Sequence, residues 1–224
     1  MNILNTYFDK IFIINLDSRQ DRWKECEELL KQYDITNYER VSAIRPVYKE
    51  IPKNYYNNLV VNQKEWYVTG AVGCKLSHYK VIEIAKERNY DNFLVLEDDF
   101  SLSGSKDDFL DIIKHQLFLL DKHTEEKDWD MIYLGGNNLT KPKKIEDKLH
   151  TVIKTNTTHA YAMNHTIYNK CLNEMNVFGT EIDDYYKRHI QNKHNVYCIY
   201  PSLIKQRKSM SDIFQGSIME YKFD

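Results

Sequence analysis

Apolar runs of four or more residues alternate along this chain with segments whose apolar positions recur at helical spacing. Lys10 to Leu16 is such a run and predicts a strand buried on both faces. Trp23, Cys26, Leu29, Leu30 and Tyr33 then share one helical face, and Ser18 followed by Asp21 has capping-box spacing. Tyr38 to Ala43 reads as a weaker strand. A helix over about Gly70 to Arg88 places Cys74, Ser77, His78, Val81, Ile82 and Ala85 together, and Phe93 to Leu96 is a second buried strand. Ser105 and Asp108 open a helix carrying Phe109, Ile112, Ile113, Leu117 and Leu120. Further strands are predicted at Met131 to Leu134, Val152-Ile153, Ala160 to Met163 and Val196 to Tyr200. The helix near His165 buries Ile167, Tyr168, Cys171, Leu172 and Met175; another follows a Thr180/Asp183 capping box with Tyr185, Tyr186 and Ile190.

Strands alternating with helices predict an α/β fold with a mainly parallel central sheet flanked by helices. The 224 residues suit one domain, 1–224. Three stretches break the alternation. Residues 45–69 carry two prolines and the rings of Tyr48, Tyr55, Tyr56, Trp66 and Tyr67 without periodicity, and read as a long aromatic loop. Trp66 is its best candidate for stacking on a ligand; cover for the sheet edge is the alternative. Lys141 to Lys148 reads as a charged surface excursion, and residues 205–224 as a polar tail over the cleft.

Composition narrows the partners. With 31 basic and 33 acidic residues the net charge is −2, which offers no broad field for nucleic acid or an anionic membrane. No transmembrane segment is expected and the N-terminus lacks a signal-like pattern, so a soluble, cytoplasmic chain is the expectation. Cys26, Cys74, Cys171 and Cys198 lie far apart within apolar patterns and read as buried thiols.

The chemistry concentrates where Phe93 to Leu96 runs into Glu97, Asp98 and Asp99. Three adjacent carboxylates repel one another unless a cation compensates them, and ligands gather beyond the carboxyl ends of parallel strands. Hard oxygen donors suit Mn²⁺ or Mg²⁺ with a bound phosphate. Glu97 and Asp99 are the expected metal ligands, sharing a face two residues apart, while Asp98 points the other way. A solvated acidic turn is the competing reading. Arg19 and Arg22, at a helix start after the first strand, suit phosphate, or else lie in solvent. Gly70 and Gly73 permit close backbone approach. Ser77 and His78 orient a ligand or simply pin their helix. Lys205, Arg207 and Lys208 could close over a phosphate or be merely solvated.

Taken in order, Asn15 to Arg22, Gly70 to His78 (Gly-Ala-Val-Gly-Cys-Lys-Leu-Ser-His) and Leu96 to Asp99 resemble glycosyltransferase family 25. Ala160-Tyr161-Ala162, Ile182-Asp183, and Pro201 to Ile204 with Gln206 and Ser211 extend the resemblance along nearly the whole chain. It departs at Ala71, where the family often has Glu, and at Ala43-Ile44-Arg45-Pro46, where an Asp-Gly is usual. The resemblance implies a GT-A-like fold, a UDP-sugar donor of galactose or glucose, a divalent metal, inversion, and a glycan or hydroxylysine-type protein acceptor. It implies donor binding by Asn15, Leu16, Arg19, Arg22, Gly73, Ser77, His78, Glu97, Asp98 and Gln206. Inversion needs a base: Asp183 matches the family position and Asp184 is its neighbour, although Asp183 also suits a helix cap. A nucleotidyltransferase would want a Gly-rich phosphate loop that Asn15 to Asp17 lacks; a binding protein without turnover is the other alternative.

Overall fold

The computed structural model describes residues 2–124, 128–213 and 218–219. A short helix α1 (Leu4–Tyr7) leads into β1 (Lys10–Asn15), α2 (Gln20–Gln32), β2 (Tyr38–Ser42) and the long α3 (Glu65–Glu87). Next come β3 (Asn92–Glu97), β4 (Phe100–Leu102), α4 (Lys106–His123), β5 (Met131–Thr140), β6 (Lys143–Glu146), β7 (Leu149–Thr151) and β8 (Lys154–Asn164). The order finishes with α5 (Tyr168–Glu174), α6 (Ile182–His189), β9 (Val196–Ile199), β10 (Ile204–Gln206), β11 (Ser209–Met210) and β12 (Ile218–Met219).

Eight strands form one sheet in the order β2-β1-β3-β8-β5-β9-β7-β6. β2, β1 and β3 are parallel, and β9 is parallel to β5. β8 runs against β3 and β5, and β7 against β9 and β6. Only β8 and β7 therefore oppose the common direction, and the sheet is mainly parallel.

Side-chain alternation sorts the interior into two layers. Ile11, Ile13, Leu94, Leu96, Ala160 and Ala162 meet Leu30 of α2 and Phe109 and Ile113 of α4 on one face. Phe12, Phe93, Val95, Tyr161 and Met163 meet Val81 and Ile82 of α3, Tyr168 of α5 and Tyr185 and Tyr186 of α6 on the other. These side chains are buried, and each Val, Leu, Ile, Phe or Met among them contributes roughly 1.5–3 kcal/mol through the apolar area it removes from water. Among the described residues no helix is long and apolar enough to cross a membrane.

Several local expectations need correction. α3 begins at Glu65, so the irregular stretch ends five residues early; Tyr67 and Val68 join Ala71 and Val72 in a third apolar cluster against Ile51 and Leu59. The Lys141 to Lys148 excursion instead contains β6, half of a hairpin with β7 that extends the sheet edge. Val152-Ile153 falls between β7 and β8, and β5 and β8 run well beyond their apolar cores because ladder pairing continues to Thr140 and Lys154. Ser18 does not cap α2: Arg19 occupies the cap position without a side-chain bond, and Asn15 Nδ2 fixes the turn by donating to the Arg19 carbonyl at 3.1 Å. Thr180 does not cap α6, since the chain reaches the helix one residue later, at Glu181. The Ser105 cap does form, its Oγ accepting from Asp108 N at 3.2 Å.

Candidate active site

β3 ends at Glu97 beside the turn into β4, and β10 pairs with β4 directly above that turn. A cleft of about 460 Å³ opens there, between the carboxyl ends of β1 and β3, helix α3, and the start of α6. Leu16, Arg22, Ser77, His78, Glu97, Asp98, Asp99, Asp183, Asp184 and Gln206 all line it.

The three carboxylates diverge. Asp98, buried, accepts from Asn15 Nδ2 at 2.7 Å and from Arg22 Nη1 at 2.6 Å. Burial holds its carboxyl above the usual range in spite of that guanidinium. Glu97 Oε1 accepts from Thr158 Oγ1 at 2.8 Å and lies 3.3 Å from His78 Nε2. Burial pushes this carboxyl up, but the His78 contact and the Thr158 hydroxyl outweigh it and leave Glu97 low. Asp99 has weaker company, with Gln206 Nε2 at 3.4 Å and Arg22 Nη1 at 3.7 Å. Burial first, and then the Glu97 charge, raise its pKa to about 7.

On the opposite wall α6 presents its first turn. Asp183 Oδ1 accepts from Asp184 N at 2.9 Å, and the backbone N–H of Thr157 also serves this carboxylate. Burial keeps Asp183 above the ordinary value, opposed mainly by Lys187. Thr157 has φ +67°, a left-handed conformation that a β-branched residue rarely adopts. Asp184 is paired within its own helix, to Lys187 at 3.5 Å and Arg188 at 2.6 Å. The buried Glu181 carboxylate accepts from Val60 N, Val61 N and Tyr67 Oη, tying the irregular segment after β2 to the start of α6.

The sequence profile of glycosyltransferase family 25 (LPS biosynthesis protein) matches residues 8–186. The chain belongs to this family. Procollagen galactosyltransferase 1-A of Xenopus laevis is 31% identical over 143 residues, covering 59% of this chain and 22% of that protein. Inactive glycosyltransferase 25 family member 3 of Homo sapiens is 28% identical over 151 residues, covering 61% and 23%. The family 25 chain thus spans less than a quarter of the length of either relative. The crystal structure of A197 from STIV aligns over 95% of this chain and 93% of its own, at 13% identity and a TM-score of 0.48.

Some expected donor residues of this family 25 chain stand outside the cleft lining. Asn15 lies behind Asp98, which it orients, and also accepts from Arg40 Nε at 2.9 Å. Arg19 is paired with Asp21 at 2.9 Å and Asp212 at 2.6 Å. Gly73 is pressed against β2's exit: a Cβ there would stand 2.4 Å from the Ile44 carbonyl oxygen. Ser77 staples the same point, its Oγ donating to the Gly73 carbonyl at 2.7 Å and accepting from Ile44 N at 2.8 Å. Trp66 lies beside Arg45, Tyr48, Glu65 and Thr69 in a separate shallow concavity.

Sequence reasoning missed Thr157, Thr158, Asn156, Glu181 and Lys187. Asn156 and Thr158 fell between two expected strands, Val152-Ile153 and Ala160 to Met163, and nothing there marked a strained residue. Of the predicted tail, Gln206, Arg207, Asp212 and Ile213 line the cleft, and Ile213 Cα would lie 2.9 Å from a Cβ at Gly70. Residues 214–217 and 220–224 fall outside the described residues.

The donors fit a hard divalent ion. Gln206 Oε1 is buried and has no hydrogen-bond partner among the described residues, beside an Asp99 carboxylate raised by burial and then by its anionic neighbours. Both recorded Glu97 contacts go to Oε1. Asp99, Glu97 and Gln206 are therefore the oxygen-bearing side chains that would hold Mn²⁺ or Mg²⁺, and a cation would relieve the repulsion that lifts Asp99.

Proposed function

We propose that this family 25 chain transfers a hexose, galactose or glucose, from a UDP-sugar to a hydroxyl of a glycan or hydroxylated protein, with inversion at the anomeric carbon. The observation that carries the reading is one cleft with two separate carboxylate centres. On one wall Asp99 and Gln206 have acceptor capacity left over, and on the other Asp183 is aimed into the cleft by the Thr157 and Asp184 amides. A bound divalent ion would neutralise the charge that gathers on the departing diphosphate.

The remaining roles belong to the chain itself. Asp183 takes the proton of the incoming hydroxyl, a task that requires its ionised form and hydrogen-bond reach. Asn156 Oδ1, buried at the cleft without a partner among the described residues, suits a sugar hydroxyl. Arg22 stays with Asp98 and keeps the strand end neutral enough to accept a polyanion beside it. A nucleotide-sugar-binding protein without turnover is the second reading, favoured by the departures at Ala71 and Ala43 to Pro46.

Slow hydrolysis of a UDP-hexose without acceptor separates the two. Mn²⁺-dependent release of UDP that is abolished in Asp99→Ala is the expected result. Turnover that survives both chelation and Asp99→Ala counts against the metal assignment, and no turnover with intact UDP-sugar binding establishes the second reading.

A further inference from the structure

Cys74 and His78 lie four residues apart on α3, so both project from one helical face towards the end of β3. With Glu97 they form, among the described residues, the sole group of three Cys, His or carboxylate donors whose ligand atoms all lie within 4.8 Å of one another. All three line the cleft, so the group has a route to solvent and an open side.

The chemistry of this triplet differs from that of the Asp99 wall. Asp99, Glu97 and Gln206 present oxygen alone, which hard cations prefer, whereas a thiol, an imidazole and a carboxylate together suit a borderline ion such as Zn²⁺. Zinc bonds of about 2.3 Å to sulfur and about 2.0–2.2 Å to nitrogen and oxygen put neighbouring ligand atoms of a tetrahedron roughly 3.3–3.8 Å apart. The His78 Nε2 to Glu97 Oε1 separation of 3.3 Å already has that span. The outer contacts are those that hold a metal-binding imidazole. His78 Nδ1 is 3.0 Å from Tyr161 Oη, the ring stacks on Tyr161 with centroids 5.6 Å apart, and Tyr161 Oη meets Tyr186 Oη at 3.0 Å. A partner on Nδ1 fixes the ring and leaves Nε2 to face the cleft.

We propose that Cys74, His78 and Glu97 form a second cation site, selective for Zn²⁺ and similar borderline ions, with a cleft water or a substrate oxygen as fourth ligand. On binding, the Cys74 thiol proton and any proton on His78 Nε2 leave to solvent as the S–Zn and N–Zn bonds form. Glu97 is shared with the oxygen-only group beside Asp99, so Zn²⁺ competes with Mn²⁺ for that carboxylate. The site itself does not depend on the transferase reading.

Co²⁺ titration of the full chain tests the site without any sugar transfer. One equivalent of Co²⁺ should give a thiolate-to-cobalt charge-transfer band in the near ultraviolet, displaced by Zn²⁺. Cys74→Ser should lose the band while keeping its metal-free unfolding midpoint, His78→Asn should weaken Co²⁺ binding at least tenfold, and Asp99→Asn should leave the band in place. Absence of the band in the unaltered chain overturns the proposal, as does an unchanged band in Cys74→Ser or unchanged affinity in His78→Asn. Should Cys74→Ser fail to fold, the His78→Asn affinity decides the matter alone. Failure of the transferase reading would show as missing UDP release with the cobalt band intact.

Discussion

The two carboxylate walls of the cleft are held in opposite ways. At the end of β3 the partners come from distant elements: Asp98 takes Arg22 from α2 and Asn15 from β1, Glu97 takes His78 from α3 and Thr158 from β8, and Asp99 lies against Gln206 from β10. At the start of α6 the bonds are mostly local. Asp183 accepts from the next residue's amide, and Asp184 pairs with Lys187 and Arg188 on its own helix. The first wall exists only once the sheet is assembled, and it stores repulsion in Asp99. The second draws the partners of Asp184 from its own helix, while Glu181 and the Thr157 amide tie it to distant segments.

The largest effect that would sharpen this contrast concerns the base. Asp183→Asn should lower the transfer rate roughly 10²–10⁴-fold with UDP binding little changed, and Asp184→Asn less than about tenfold, because Asp184 is occupied by two cations. Steady-state rates with a UDP-hexose and acceptor check this; the reverse ranking would move the base to Asp184.

A stability comparison comes next. Removing Arg22 as Arg22→Met strands a buried Asp98 and should cost about 3–5 kcal/mol in denaturant unfolding. Arg188, with a side chain 61% exposed, serves the more local wall, and Arg188→Met should cost under about 1 kcal/mol. Equal costs would erase the distinction between the walls.

The smallest effect is a gain. Asp99 has a folded pKa near 7 against an ordinary 3.8, so the native state binds its proton more tightly than the unfolded chain does. Stability is then lost as pH climbs from about 3.8 through 7, and the loss is complete above that. Without added metal, Asp99→Asn should therefore be more stable than the unaltered chain at pH 8 and equal to it near pH 3. Thermal unfolding in chelator at both pH values gives the sign.

The same contrast explains what could be read from the sequence. The central strands and the helix faces were legible because Ile11 to Ile14, Phe93 to Leu96 and the α4 residues Phe109, Ile113 and Leu117 carry their burial in their spacing. So was the strand-end carboxylate run, because three acidic residues directly follow four apolar ones. The separate orientations of Glu97, Asp98 and Asp99 were not legible, since each is set by a partner between 19 and 107 positions away. Thr157 and Asn156 gave no signal, because the left-handed backbone at Thr157 is imposed by β8 and β5 slipping register and not by a glycine. Cys74 was grouped with three other thiols as buried core; those three are indeed buried, while it alone is half-buried and faces the cleft.

The contact at Gly73 has a wider consequence. Helix and strand exit touch there backbone to backbone, with the Ser77 hydroxyl clasping both, so the floor beneath residues 43–46 is fixed by main-chain atoms, by the missing Cβ at Gly73 and by one hydroxyl. The side chains above that floor are then interchangeable furniture on a rigid frame. Residues 43–46 can then be exchanged without having to rebuild the wall of the cleft that they line.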